Sequence, residues 1–192
     1  MSETELDTRP GLPVDLRVLL ERYPREDWHA HENLGGMAQF WLQRHDMFRD
    51  LGGMLEGAVG EWRNERIETG AFVQFFVPRL NFFLGQLEGH HQIEDHHYFP
   101  VFRRAEPRLD RGFDILDSDH HVIHAALEAN AGAANGLLQA IQEGGDRLKR
   151  AGDAYAGECG RLVAMLMRHL DDEEDLIIPV ILDQGERKIG VS

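Results

Sequence analysis

The sequence predicts an all-α fold, an antiparallel up-down four-helix bundle with an N-terminal extension. Three observations support this prediction. Apolar residues recur every three or four positions over four long runs, no run alternates apolar and polar residues as a half-buried strand does, and short stretches containing glycine or proline separate the runs. Four long helices joined by short loops pack most simply as antiparallel neighbours.

Residues 1–31 are predicted to be an extended lead-in with room for one short helix. This segment carries three prolines, mixed charges and one short apolar run over residues 14–20. We expect no chemistry from it. The four-helix bundle is predicted to occupy residues 32–185, and residues 186–192 are predicted to form a C-terminal tail.

The first two predicted helices are separated near Thr69. The first starts near Glu32 and extends to Ile67 with a bend, because each glycine in its second half costs about 1 kcal/mol relative to alanine. Its inward stripe comprises Met37, Trp41, His45, Phe48, Met54 and Leu55. The second helix runs to Arg104, and Pro78 within it should kink the helix or mark its effective start.

The third and fourth helices follow a loop that contains Pro107. The third carries an apolar stripe from Phe113 to Ile141, and a double glycine closes it. Asp146 can then cap the fourth helix. The inward stripe of that helix comprises Leu162, Met165, Leu166, His169, Glu173, Ile177 and Val180.

Charge and cysteine content restrict the partners. With 34 acidic and 20 basic residues the formal net charge is −14, which argues against nucleic acids and anionic membrane surfaces and favours cations or small molecules. Cys159 is the only cysteine, so an internal disulfide and a thiolate cluster are excluded. The N-terminus lacks an export signal, and no apolar run approaches the roughly 20 residues of a membrane span. We expect a cytoplasmic protein.

One phrase occurs twice in the chain. Residues 90–102 read HHQIEDHHYFPVF, and residues 169–181 read HLDDEEDLIIPVI. In each copy a histidine precedes a glutamate by four positions, a spacing that puts both side chains on the same helix face. The sequence therefore predicts two inward pairs of one imidazole and one carboxylate.

The inward polar residues predict a metal site. Each predicted helix places at least one histidine on its inward stripe, and the full set comprises His45, His90, His120, His124 and His169, with Glu94 and Glu173. Burying unpaired carboxylates costs several kcal/mol, so this cluster needs a cation or a dense hydrogen-bond network. Imidazole and carboxylate ligands without thiolate suit iron, manganese, zinc or copper. Seven ligands exceed the four of one zinc, whereas two six-coordinate ions that share both glutamates use all seven, as in a di-iron site.

These motifs resemble the hemerythrin-like, HHE cation-binding family over residues from about 32 to 182. The family's order is present: a lone histidine at 45, the phrase at 90, the H-x-x-x-H at 120 and 124, and the phrase at 169. The resemblance implies a four-helix bundle with two non-heme iron ions joined by an oxo or hydroxo bridge. It also implies terminal roles for His45, His90, His120, His124 and His169 and bridging roles for Glu94 and Glu173.

One ligand assignment has an alternative, and several neighbouring residues are assigned outside the ligand set. Glu174 competes with Glu173, because family members differ in whether the last carboxylate lies four or five residues after its histidine. We prefer Glu173, since it repeats the spacing from His90 to Glu94. Four further histidines are interpreted as solvated or outer residues: His91, His96, His97 and His121. Three acidic residues are near enough in sequence to accept a hydrogen bond from a ligating imidazole: Asp95, Asp117 and Asp119.

The leading functional hypothesis is a di-iron binding protein, rather than an enzyme, that binds oxygen or another small diatomic ligand for sensing, storage or transport. Its basis is the histidine-rich ligand set, which differs from the carboxylate-rich ferritin-like sites. One alternative is an oxidoreductase acting on peroxide, oxygen or nitric oxide with electrons from a donor protein. Another is an iron sensor that acts through metal-dependent stability. Other divalent metals and a homo-oligomer remain open.

Overall fold

The computed structural model describes residues 4–145 and 147–191, and every regular element within them is helical. The helices are α1 (Val18–Arg22), α2 (Gly36–Arg63), α3 (Thr69–Ile93), α4 (Phe99–Ala105), α5 (Asp110–Glu143), α6 (Arg147–Gln184) and α7 (Glu186–Ile189). Four of them, α2, α3, α5 and α6, are long. The prediction of an all-α fold is confirmed.

The helix ends lie close to the predicted positions. α2 begins at Gly36 and ends at Arg63, just before Glu65, whose φ of 58° lies in the left-handed region and cannot continue a right-handed helix. α3 continues through Pro78 to Ile93 rather than starting at the proline. Asp146, expected to cap the fourth helix, lies outside the described residues.

A π-helical turn, Glu94–Tyr98, joins α3 to α4. The Phe99 N–H donates to the Glu94 carbonyl, five residues earlier, instead of to the usual carbonyl four residues earlier. Pro100 follows directly and has no N–H to donate, so regular α-helical bonding is already interrupted here. Such turns are frequent at functional sites. The predicted second helix is therefore α3, this turn and α4 in succession.

The described residues form two compact units. The first comprises the described residues up to Asp46, His90–His121 and the described residues from Met167 onward. Its core is a cluster of buried apolar side chains that includes Leu12, Leu16, Leu19, Trp28, Trp41, Phe99, Phe102, Phe113, Ile177 and Val180. The segment preceding α2 is part of this core, because its helical turns bury leucines and Trp28.

The second unit comprises Met47–Gly89 and the described part of Val122–Leu166. A row of aromatic rings runs through it, with centroid distances of 5.0 Å from Trp62 to Phe72, 4.8 Å from Phe72 to Phe76, and 5.1 Å from Phe76 to Tyr155. The buried Tyr155 hydroxyl donates to the Asn130 side chain at 3.3 Å. None of the described helices combines the length and apolar character needed to cross a membrane.

Candidate metal centre

Seven histidine and glutamate side chains, of the types that can bind a metal ion, converge within the first unit. The first group comprises His45, His90, Glu94 and Glu173, and the second comprises His91, His120 and His169. Within each group, one potential ligand atom per residue lies within 4.8 Å of the others. Six of the seven residues are buried, and His90 is partly exposed. The structure thus brings together six of the seven predicted ligands and adds His91.

The two inward glutamates each contact both groups. Glu94 places Oε1 2.8 Å from His90 Nε2 and Oε2 3.6 Å from His120 Nε2. Glu173 places Oε1 3.7 Å from His45 Nε2 and Oε2 3.3 Å from His169 Nε2. A carboxylate whose two oxygens face different sets of imidazoles has the arrangement needed to bridge two cations.

Several atoms of this cluster lack a hydrogen bond of acceptable geometry among the described residues, although imidazole nitrogens lie near the carboxylate oxygens. They are His91 Nε2, both carboxylate oxygens of Glu94 and Oε2 of Glu173, and all are buried. Leaving such an atom unsatisfied costs about 1–3 kcal/mol. Cations between the two groups would satisfy all four atoms, so the residues fit a pair of metal ions with nitrogen and oxygen ligands.

Burial and charge shift the pKa values of the clustered residues in different directions. Burial lowers the pKa of His90 to about 3, and burial with neighbouring imidazoles lowers that of His91, so both rings are neutral at pH 7. Burial raises the pKa of Glu94, and the nearby Glu173 charge raises it further. Burial opposes protonation of His169, but contacts with Asp119 and Glu173 raise its pKa to about 9. An imidazole must be deprotonated to bind a metal, so a cation at His169 would compete with a proton there.

Two pairs of adjacent acids, Glu94 with Asp95 and Glu173 with Glu174, lie at the cluster. In each acidic doublet the first acid points into the cluster, and the second accepts a hydrogen bond from an imidazole on another helix. Glu174 Oε1 lies 2.9 Å from His45 Nδ1, and Asp95 Oδ1 lies 2.7 Å from His120 Nδ1. A carboxylate at Nδ1 fixes the tautomer that leaves the Nε2 lone pair available to a metal. This arrangement favours Glu173 over Glu174 as the inward carboxylate.

His169 has the same kind of partner. Its Nδ1 lies 3.3 Å from Asp119 Oδ2, and both side chains are buried. Burial raises the pKa of Asp119, but hydrogen bonds from Arg9 and His169 outweigh it and lower the pKa below its usual value. Asp95 and Asp119, two of the three acids considered from the sequence, thus each accept a hydrogen bond from an imidazole of the cluster. Three imidazoles, on α2, α5 and α6, are oriented by carboxylates.

His124 is the predicted ligand that the structure does not bring to the cluster. Its side chain is 53% exposed, with Nδ1 2.8 Å from Glu88 and Nε2 3.5 Å from Glu128. His124, four residues after His120, thus lies on a solvated stretch of α5, and its assignment as a ligand stays a prediction. His96, His97 and His121 are exposed as well.

His91 takes part in the cluster although the sequence analysis interpreted it as an outer or solvated residue. It is buried, and its ring stacks on His120 with centroids 4.0 Å apart. A signal was available, because His91 precedes Glu94 by three residues and this spacing also shares a helix face. The i, i+4 spacing by itself selects His90 as the partner of Glu94 and leaves His91 out.

Aromatic side chains line the cluster. The Trp41 indole N–H donates to Glu173 Oε1 at 2.7 Å, which fixes that carboxylate. Phe99 stacks on His120 with ring centroids 5.3 Å apart. Both aromatic residues are buried. Such apolar rings lower the polarity around the imidazoles and carboxylates, which strengthens electrostatic interactions there.

Comparison with known protein families identifies the family of the chain. A family model described as the Hemerythrin HHE cation binding domain matches residues 36–181, more than half of the chain. The match begins at the first residue of α2 and ends within α6, so it includes all seven clustered residues. Neither the curated proteins nor the solved structures that were compared gave a match. The chain belongs to the hemerythrin HHE cation binding domain family.

Proposed function

We propose that this protein holds two non-heme iron ions and binds oxygen, or another small diatomic molecule, for sensing, storage or transport. We further propose that α2, α3, α5 and α6 form an antiparallel four-helix bundle around these ions. Membership of the family supports cation binding, and the nitrogen and oxygen donor atoms support iron as the cation. Manganese or zinc ions could use the same atoms, so metal analysis is part of the test.

The observation that carries the proposal is the pair of carboxylates, each facing two sets of imidazoles. In the proposed assignment His45 and His90 bind one ion, three imidazoles bind the other, and the two glutamates bridge them. The three imidazoles belong to His91, His120 and His169. Each ion then has four or five protein ligands, which leaves room for an exchangeable ligand in a six-coordinate site.

A reduced di-iron pair supplies two electrons and an open coordination position to a diatomic ligand. The protein's contribution is to orient the imidazoles, to fix Glu173 through the Trp41 indole, and to exclude water. His90 is the most exposed of the clustered histidines, at 10% of its side chain, so we propose that a ligand approaches from its side.

The decisive experiment combines metal analysis with spectroscopy. Protein purified from its own host should contain close to two iron ions per chain. After reduction under argon, exposure to oxygen should give a new absorption band that disappears when oxygen is removed. The proposal is contradicted if the iron content is far below two per chain, or if the absorption spectrum of the ferrous protein does not change on exposure to oxygen.

A second candidate function, a di-iron oxidoreductase with an external electron donor, is favoured by one aromatic contact. The half-buried Tyr98 ring packs on Trp41 with centroids 4.9 Å apart, and Trp41 donates to the inward Glu173. Two oxidisable rings therefore connect the protein surface to the carboxylate. A binding protein needs no such connection, whereas an enzyme receiving single electrons from a partner can use it.

Turnover with an artificial donor tests this candidate. We expect peroxide or nitric oxide to be consumed in the steady state if the protein is an enzyme, and Tyr98→Phe to slow electron entry while iron content stays constant. Phe75→Leu, at an aromatic position in the second unit, serves as the control. Reversible oxygen binding without turnover would favour the first candidate.

A further inference from the structure

The segment preceding α2 places an arginine in the interior of the first unit. Arg9 has a fully buried side chain, and its Nε donates to Asp172 Oδ2 at 2.7 Å. Its Nη1 donates to Asp119 Oδ1 at 2.7 Å, and Nη2 binds the other oxygen of the same carboxylate. A guanidinium is the side chain best suited to such planar, two-point recognition of a carboxylate.

Asp119 connects Arg9 to the metal centre. The Asp119 oxygen that receives Arg9 Nη2 also faces His169 Nδ1, at 3.3 Å. His169 in turn directs Nε2 towards Glu173 and His120. Arg9 therefore contacts no candidate ligand itself but holds the carboxylate that orients one.

A second arginine from the same segment repeats the arrangement. Arg25 Nη1 donates to Glu174 Oε2 at 2.9 Å, while the other oxygen of Glu174 lies 2.9 Å from His45 Nδ1. Arg25 also donates to Asp175 through Nε at 2.6 Å. Its side chain is 41% exposed, so this pair is more screened by solvent than the Arg9 pairs are.

These contacts meet a specific electrostatic requirement. Residues 171–175 read DDEED, so five acidic side chains follow His169 on successive positions of α6. Asp172, Glu173 and Glu174 are buried there. Two cations can neutralise the inward carboxylate, but the outer carboxylates need other positive partners. Arg9 and Arg25 supply them from the opposite side of the imidazoles.

We propose that Arg9 and Arg25 are positioning residues of the metal centre, which neutralise and orient Asp119 and Glu174 so that these carboxylates fix His169 and His45 for metal binding. This inference rests on the proposed di-iron function. A carboxylate that loses its arginine is held less rigidly, so the imidazole bonded to it is oriented less well for the metal. The uncompensated charge of that carboxylate also makes the imidazole more electron-rich. The segment preceding α2 thereby tunes the site as well as completing the core.

The test compares variants of the full chain loaded with ferrous iron. Arg9→Gln and Arg25→Gln should release iron to an external chelator up to about 10-fold faster than the wild type, because each arginine acts through a carboxylate whose own loss would cost about 10- to 100-fold. The larger part of the effect should come from poorer orientation of the imidazole. Both should also lower the midpoint reduction potential, because a stronger imidazole donor stabilises the ferric state. Arg9→Lys keeps the positive charge and should return the potential towards the wild-type value.

Arg22→Gln is the matched control. Arg22 belongs to the same segment and pairs with Asp183, but it is 66% exposed, and the Asp183 contacts found are with Arg22 and Tyr23 rather than with an imidazole. Its release rate and potential should match the wild type. If Arg9→Gln does not fold, the half-exposed Arg25 variant decides the question.

The outcomes separate this inference from the proposed function. If the wild type holds two irons and both glutamine variants match Arg22→Gln in release rate and potential, the positioning role is refuted and the di-iron function stands. Faster release without a change of potential also overturns it, since a purely structural tie gives that result. A wild type that binds no iron overturns both.

Discussion

Replacing His91 by alanine should remove one metal ion from the protein, whereas the same replacement at His124 should leave both ions bound. The two histidines differ sharply in environment. His91 is 5% exposed and has an unpartnered Nε2 beside two other imidazoles, while His124 is largely exposed and pairs with Glu88. The two variants test which histidine joins His120 and His169 at the second proposed ion. The spatial arrangement indicates His91, and the sequence pattern indicates His124.

The magnitude follows from the role of each side chain. Loss of an outer partner typically weakens metal binding by about 10- to 100-fold, so loss of a direct ligand should cost at least about 100-fold, or about 2.8 kcal/mol. The metal-free protein should change much less. Truncating His91 removes a buried unsatisfied nitrogen, which costs about 1–3 kcal/mol, and this gain offsets the loss of its stacking on His120.

The assay measures iron per chain after equilibration with a competing chelator, together with melting temperatures with and without metal. We expect His91→Ala to hold about one ion and to lose most of the metal-induced rise in melting temperature. His124→Ala should resemble the wild type in both measurements. If His124→Ala loses an ion while His91→Ala retains two, the geometric assignment is wrong and the family's H-x-x-x-H pattern holds.

Three further predictions concern stability and reactivity. Chelation should lower the melting temperature, as should His90→Ala, because the inward carboxylates then lose their positive partners; calorimetry that finds no change on either treatment would exclude the di-metal site. Gly152→Ala should destabilise the protein by about 1–3 kcal/mol in urea titration, since the new Cβ would lie 2.9 Å from Trp62, whereas Gly157→Ala has open space and should be neutral or stabilising by up to about 1 kcal/mol; the reverse order would refute the packing argument. Burial raises the pKa of Cys159 from 9.0 to about 11, so at pH 8 about one native thiol in 1000 is ionised and alkylation should be slow until the protein unfolds. Because the folded-state pKa is raised, this group's contribution to stability is complete below pH 9 and should be lost between pH 9 and 11, and a stability curve that rises over that interval would contradict this sign.

The regular features of the fold could be predicted because they depend on local spacing. A helix repeats every 3.6 residues, so the stripes that contain His45, His90, His120 and His169 could be recognised without knowledge of their neighbours. The same period placed Glu94 and Glu173 on the inward face. The structure brings all six together.

The histidine pair at 90 and 91 shows where helical spacing leaves a choice open. Regular helical geometry favoured a single inward histidine in the pair at 90 and 91, yet the structure brings both to the cluster, one to each group. His124 shows the opposite case, because its spacing from His120 is regular while its side chain lies in solvent, apart from the cluster. Helical periodicity gives the direction of a side chain but not what lies there.

The lead-in is the clearest case of a feature without a local signal. Arg9 binds Asp119 and Asp172, which are 110 and 163 positions away in the sequence. An arginine among prolines and mixed charges resembles any solvated residue. Its burial depends on the packing of leucines and Trp28 into the core of the first unit, which brings the guanidinium to the two carboxylates.

The sequence by itself determined the all-helical class, the family and the presence of inward imidazole and carboxylate pairs, because each depends on residue types at short, regular spacings. Tertiary structure decided which acid of each doublet faces the cluster, which histidine completes the second group, and which arginines support the outer carboxylates. These choices depend on contacts between residues far apart in the chain. Packing and the electrostatics of burial select those contacts, and the periodicity of a single helix carries no information about them.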